Sequence, residues 1–203
     1  MQPEDARHLE HIFEKVSLGK ATLFLGAGAS VSAGAPDSET LIQKLKDHFK
    51  TVHTNATDLF SVCQDIVETA PFGRNELEDF IRSQFETLEP TSAHFSMAKY
   101  DWQAIFTTNY DRLIELAYGK PERKRVCHPI YSPDFNANLF DRDILYLFKL
   151  MGCVSSTGEM GRMVITRSDY NRMLRERPRF VDCLHDVLKD GAVVFIGYSG
   201  GDF

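Results

Sequence analysis

The sequence predicts an α/β fold with a mainly parallel sheet and a helical insertion. Three observations carry that prediction. Short apolar runs alternate with amphipathic helical patterns, the first apolar run breaks into consecutive small residues, and polar or small residues follow the apolar runs at four separate places. A run without polar alternation reads as a strand buried on both faces, the habit of parallel sheets.

The 203 residues divide into an N-terminal helix over 1–19 and one domain over 20–203, with a helical insert at about 40–100. Hydrophobic residues make up 43% and charged residues 26%, enough apolar mass for a globular core. The net charge of −6 argues against direct nucleic-acid binding by this domain. No run approaches the ~18–20 apolar residues of a membrane helix, and Gln2, Pro3, Glu4 and Asp5 give the N-terminus no signal-peptide core. A cytoplasmic protein without membrane partners is expected. Cys63, Cys127, Cys153 and Cys183 form no Cys-x-x-Cys pair, so packed, reduced thiols and no metal are expected.

In order, Glu4 to Leu18 sets Leu9, Ile12, Phe13 and Val16 on one helical face, closed by Gly19. That face can cover the sheet or pack on another subunit. Thr22 to Leu25 is the first buried strand. Helices follow over Thr40 to Phe49, Asp58 to Thr69 and Asn75 to Leu88, the last two separated at Pro71-Phe-Gly73. Three successive helices without a strand read as an insertion lying over one end of the sheet. Thr91 or Ser92 caps a short helix carrying Phe95, Met97 and His94, a histidine on its apolar side that reads as packed core. Gln103 to Thr107 is the second strand, followed by a helix with Leu113, Ile114, Leu116 and Ala117. Gly119 to Arg125 reads as a basic solvated loop. Ile144 to Phe148 and Met163 to Ile165 read as further strands. Two helical segments meet near Pro178, the second carrying Phe180, Leu184, Val187 and Leu188. Ala192 to Ile196 reads as the last buried strand.

The first strand runs into Gly26-Ala-Gly-Ala-Ser30 and on through Ser32, Gly34, Pro36 and Asp37. Residues without bulk let backbone approach a ligand closely, and successive N–H groups at such a loop suit a pyrophosphate. A tight turn without a ligand would also produce Gly-x-Gly. The full Gly-x-Gly-x-x-Gly spacing is absent because position 31 is Val, and so is the lysine of a P-loop. In parallel sheets ligands sit beyond the carboxyl ends of the strands. One pocket shared by Gly26–Ser30, Thr108–Asp111, Lys149–Gly152 and Gly197–Gly200 is the economical reading of four such endings.

Gly-Ala-Gly-Ala-Ser (26–30), Thr-Thr-Asn-Tyr-Asp (107–111), Phe-Lys-Leu-Met-Gly (148–152) and Gly-Tyr-Ser (197–199) together resemble the sirtuin-like NAD-binding fold. The likeness is to the branch whose members hydrolyse NAD in bacterial anti-phage defence. The resemblance covers residues 20 to 203 and implies a Rossmann-like sheet. It implies that Gly26, Ala27, Gly28 and Ser30 hold the NAD phosphates, and that Asp37, Thr108 and Gly197 belong to the same binding loops. It further implies that Asn109 and Asp111 face the nicotinamide ribose and ring, and that Ser199 contacts the dinucleotide from the last strand. Relatives acting as assemblies make a homo-oligomer an expectation.

Cleaving the nicotinamide–ribose bond passes through an oxocarbenium-like cation, as glycoside cleavage does. A carboxamide such as Asn109 can position a water, and a histidine would ordinarily serve as general base. The family's Lys-Leu-His-Gly reads Lys149-Leu-Met151-Gly here, and methionine relays no proton. Loss of a placed acid–base group costs ~10²–10⁴ in rate, so little hydrolysis is expected of the chain as written. Met151 is either an introduced inactivating substitution or a natural variant that binds nucleotide without turnover. His94, His128 and His185 are possible substitutes, though none follows a strand in the required place. The two-pair cysteine zinc module of sirtuin deacylases is missing after Gly152, and Ser38-Glu39 replaces their Phe-Arg, which disfavours acyl-lysine removal.

The chain stops at Phe203, just after the turn that should enter another βα unit. A further C-terminal domain or a partner chain is therefore expected to complete the site. The leading reading is an NAD glycohydrolase effector domain. Its alternative is a non-catalytic module that binds NAD or ADP-ribose-type nucleotides within a larger assembly; a pure scaffold would bind neither.

Overall fold

A computed structural model describes residues 3–71, 73–119, 125–131, 141, 143–156, 162–176 and 178–199. Five parallel strands form its sheet: β1 (Ala21–Leu25), β2 (Ile105–Thr107), β3 (Val126–Ile130), β4 (Ile144–Lys149) and β5 (Ala192–Ile196). Their order is β3-β4-β2-β1-β5. All recorded pairings are parallel, with Phe24 beside Phe106, Phe106 beside Phe148, and Leu25 beside Ile196. The α/β, Rossmann-like expectation therefore holds, and the register brings the carboxyl ends of β1, β2, β4 and β5 to one edge.

Eight helices are described: α1 (Pro3–Ser17), α2 (Ser38–His48), α3 (Leu59–Thr69), α4 (Gly73–Phe85), α5 (Ser92–Met97), α6 (Leu113–Tyr118), α7 (Arg167–Glu176) and α8 (Pro178–Asp190). Period-two alternation divides the strand side chains between two cores. Leu23, Leu25, Ile105, Leu145 and Leu147 pack with Val16 of α1, Met97 of α5 and Ile114 and Ala117 of α6. Phe24, Phe106, Tyr146 and Phe148 face the other way, against Val187 of α8. The Phe106 and Phe148 rings stack at 4.5 Å.

Helices α2 to α5 lie between β1 and β2 in the chain, and the first three build a third core. Leu41, Leu45, Val62, Ile66, Leu77 and Ile81 pack there with Met151, Val154 and residues 163–165. Cys63 belongs to this core, and burial pushes its thiol up to about 12. Asp37 and Asp58 cap α2 and α3 by accepting from Thr40 N and Ser61 N, at 2.8 and 3.0 Å. The amphipathic face of α1 is only partly covered: Val16 is buried, whereas Phe13 remains 62% exposed.

Two strand assignments change. Residues 163–165 are buried but join no ladder, because their backbone groups find partners outside the sheet. Val164 N donates to Met151 O, Tyr110 Oη donates to Val164 O, and Arg74 donates to Met163 O. Conversely, Val126–Ile130 is an edge strand where the sequence shows no apolar run. It carries His128 and Pro129, and an edge strand tolerates proline because one side needs no N–H. Residues 120–124 of the expected basic loop, Phe72 in the α3–α4 junction, residue 177 and residues 200–203 lie outside the described residues, as do the side chains of Phe180 and Leu188.

An ion network fastens the insertion to the segment beyond β4. Arg74 of α4 bonds both Glu78 and Asp169, and Glu78 also accepts from Arg162 at 2.8 Å. Burial raises the Asp169 carboxyl, but the Arg74 guanidinium and the N–H groups of Thr166 and Ile165 outweigh it and hold it below its ordinary value. A depressed carboxylate stabilises the fold above its unfolded pKa of about 4 and loses that contribution as pH falls through the lower, folded value. Asp169→Asn is expected to cost about 2–3 kcal/mol at pH 7 and to flatten the acid limb of stability below about pH 4. Urea denaturation at stepped pH checks both.

Candidate functional site

The loop after β1 and the turn after β2 meet through side chains. Thr107 Oγ1 donates to Leu25 O at 3.1 Å and accepts from Asn109 N at 3.0 Å. This closes the turn that lifts Asn109 off the strand end. The Asn109 amide then donates twice, to Gly26 O at 3.0 Å and to Ser30 Oγ at 2.9 Å. Ser30 Oγ in turn donates to Asp111 Oδ2 at 2.6 Å, while Asp111 Oδ1 accepts from Leu113 N at 2.9 Å. Ser30, Asn109 and Asp111 are thus one connected unit drawn from two loops.

Behind them stands a buried cation. Lys149, 1% exposed at the end of β4, donates to the Asp111 carbonyl and to Glu115 Oε1, the latter at 2.9 Å. Burial opposes its charge, but the Glu115 carboxylate overcomes it and raises the ammonium above its ordinary value. The chain then turns at Gly152, whose φ of +81° favours glycine, and this presents Met151 on the cleft wall.

A cleft of about 910 Å³ opens in front of this unit, within the range of small-molecule and cofactor sites. Its wall includes Ala27, Ser30, Thr108, Asn109, Asp111 and Met151. The insertion supplies the opposite wall through Leu41, Lys46, Phe60 and Phe85. Short motifs give no sign of that wall, since helical core periodicity produces the same residues.

The remaining expected site residues lie elsewhere. Gly26 and Gly28 pack under the cleft against the turn after β5, where their N–H groups donate to Ile196 O and Gly197 O at 3.0 and 2.9 Å. Ala29 N and Ser30 N donate to Gly26 O and Ala27 O. These four N–H groups are therefore turned inward, and the small residues serve loop-on-loop packing. Gly197 belongs to the same junction. Asp37 caps α2, and its exposed carboxyl is lowered by the Thr40 hydrogen bonds. Ser199 is exposed after β5, outside the cleft wall.

Of the candidate histidines, His128 on β3 and His185 on α8 are exposed and outside the wall. His94 is 1% exposed and sits directly behind Ser30, Asn109 and Asp111. Its Nδ1 accepts from Thr91 N at 3.1 Å, completing a capping box on α5. Burial lowers its pKa, against the Asp111 carboxylate and the Ala29 carbonyl.

Residues 103–203, from β2 through the end of the sequence, match the SIR2-like domain model. That segment is a SIR2-like domain. The NAD(+) hydrolase ThsA of Bacillus cereus (strain MSX-D12) is 24% identical over 203 residues, covering 100% of this chain and 42% of the relative. ThsA of Enterococcus faecium is 26% identical over 200 residues, covering 96% and 40%. The defense-associated sirtuin 2 of Bacillus subtilis is 24% identical over 200 residues, covering 96% and 19%. The chain spans about two-fifths of the length of the ThsA relatives it matches.

The junction of the two glycine loops is the tightest point of the site. A Cβ on Gly197, where φ is +66°, would lie 2.1 Å from Ala29 N. Gly197→Ala is expected to cost about 2–4 kcal/mol, by strain and by forcing the first loop away. Urea denaturation reads the loss. A midpoint equal to the parent's would contradict the packing role.

Proposed function

We propose that the chain is an NAD glycohydrolase domain that cleaves the nicotinamide–ribose bond, within a longer protein of bacterial anti-phage defence. The observation that carries this reading is the single wall formed by Ser30, Asn109, Asp111 and Met151. Relatives named NAD(+) hydrolase support the substrate. In the reaction the C1′–N bond breaks and its electron pair passes to the pyridinium nitrogen, so nicotinamide leaves neutral. A water oxygen bonds C1′ and gives up one proton, leaving ADP-ribose.

The residues divide that work. The buried Asp111 carboxylate of the cleft wall favours the cationic ribose by charge, in a setting where water screens little. Asn109 is held rigidly by its two donor bonds and contacts the ribose or the incoming water. Ser30 holds Asp111 and Asn109 in register. Ala27 and Thr108 line the dinucleotide's path.

Met151 supports a second reading of the same site. It is 2% exposed, stands where the family motif has histidine, and takes no proton. On this reading the chain binds NAD or an ADP-ribose-type nucleotide and turns it over slowly or not at all.

Titration calorimetry with NAD and ADP-ribose, alongside a nicotinamide-release assay, tests both. Binding by the parent chain is expected. Met151→His is expected to raise nicotinamide release by about 10²-fold or more, and Asn109→Ala in that background to abolish the gain. Binding with no turnover in Met151→His selects the module. Neither binding nor turnover removes the nucleotide reading altogether.

A further inference from the structure

Among the described residues, two buried polar atoms behind the cleft lack a hydrogen bond of good geometry: His94 Nε2, near which only the Ala29 carbonyl lies, and Asn109 Oδ1. Chemistry fixes the role of each. Thr91 N–H can only donate, so His94 Nδ1 is the acceptor and the ring proton of the neutral imidazole sits on Nε2. Gly26 O can only accept, so the amide nitrogen of Asn109 faces it and Oδ1 points the other way. An orphaned donor and an orphaned acceptor therefore border the same space.

That space is a small, partly open pocket of about 10 Å³, whose polar lining is Ser30, His94, Thr107, Asn109, Asp111 and Glu115. It is the room of one water centre, and a buried water needs two to four polar partners. We propose that a single ordered water bridges His94 Nε2–H to Asn109 Oδ1, making His94 a positioning residue for Asn109. The water accepts from the imidazole and donates to the carboxamide, and its second hydrogen turns to the Asp111 carboxylate or the Ala29 carbonyl. Without the bridge, Asn109 Oδ1 would be buried unpaired, a penalty the carboxamide could relieve by turning out of its productive orientation. The α5 capping bond and the bridge use opposite nitrogens of the same ring, so one buried histidine couples the end of the insertion to the cleft.

The consequence for nucleotide binding rests on the NAD reading; the water itself does not. His94→Asn keeps an acceptor near the Nδ1 position and removes the Nε2 donor. His94→Gln does the reverse. Calorimetry with ADP-ribose is expected to show affinity lost by about tenfold in His94→Asn and within about threefold of the parent in His94→Gln, although the latter loses the cap and melts lower. The opposite order, with full affinity in His94→Asn and loss in His94→Gln, would reduce His94 to a helix cap and overturn the proposal. Long-range ¹H–¹⁵N spectra of the unliganded parent protein give the independent readout. An Nε2–H ring at neutral pH with a cross-peak to a slowly exchanging water supports the bridge. The Nδ1–H tautomer, or no such water, sinks it even if nucleotide binds. If the parent binds no nucleotide, the spectra still decide.

Discussion

The Asn109 carboxamide is the joint on which the site depends. Its two N–H groups are spent on Gly26 O and Ser30 Oγ, so it ties the loop after β1 to the turn after β2. The bonds are possible only because parallel pairing sets Leu25 level with Thr107, bringing both loops out at the same height. Thr107 adds the remaining constraint by using its hydroxyl twice, toward β1 and toward Asn109 N. Aspartate could donate neither bond, and glutamine would carry the amide one methylene too far.

Support for that joint comes from two polar clusters of different character. Lys149 is fully buried, and its partners are Glu115 and the Asp111 carbonyl. Isolated in the core the ammonium would be prohibitively costly, and paired it contributes little net stability. Its value is positional, because it fixes the backbone of Asp111 from behind. The Arg74 cluster acts at longer range. By holding Met163 O, Glu78 and Asp169 it seats the segment 163–165 beneath Met151, so the insertion shapes the wall opposite the strand ends.

Most of the fold was legible in the sequence because long apolar periodicity decides it. Thr22–Leu25, Ile144–Phe148 and Ala192–Ile196 have no polar alternation; the structure buries nearly all of the first two, but Ala192–Ile196, read as buried, lies at the end of the strand order only half-covered, with Phe195 57% exposed. Residues 163–165 show the limit of that logic. An apolar run says that side chains are buried, but whether its backbone joins a ladder depends on partners distant in sequence, here Arg74 and Tyr110. The edge strand β3 fails the pattern for the converse reason, since an exposed edge requires no apolar run. At the site, Asn109, Asp111, Ser30 and Met151 were visible through spacing and resemblance. The inward turn of the glycine-loop N–H groups was not, because those of Gly26 and Gly28 are taken by Ile196 O and Gly197 O, far downstream in the sequence. His94 was legible as a buried histidine, but its second nitrogen acquires meaning only beside Asn109.

The inward turn changes where anionic charge would be met. If the N–H groups of Gly26, Gly28, Ala29 and Ser30 are occupied within the loops, a pyrophosphate must find other donors along the cleft. The wall offers Lys46, which now donates to Ala56 O at 2.8 Å, while Glu39, Asp58 and Asp111 oppose it. A wall with more carboxyl groups than ammonium groups favours a developing cation more than a resting anion. That is the electrostatic bias bond cleavage at the ribose requires, and it costs affinity for the phosphates. Binding strength and catalytic complementarity therefore pull in opposite directions on this surface. On the proposed reading, the surface around Asn109 and Asp111 suits the ribose cation better than the phosphates, and Met151 sets a thioether, not a proton acceptor, beside it.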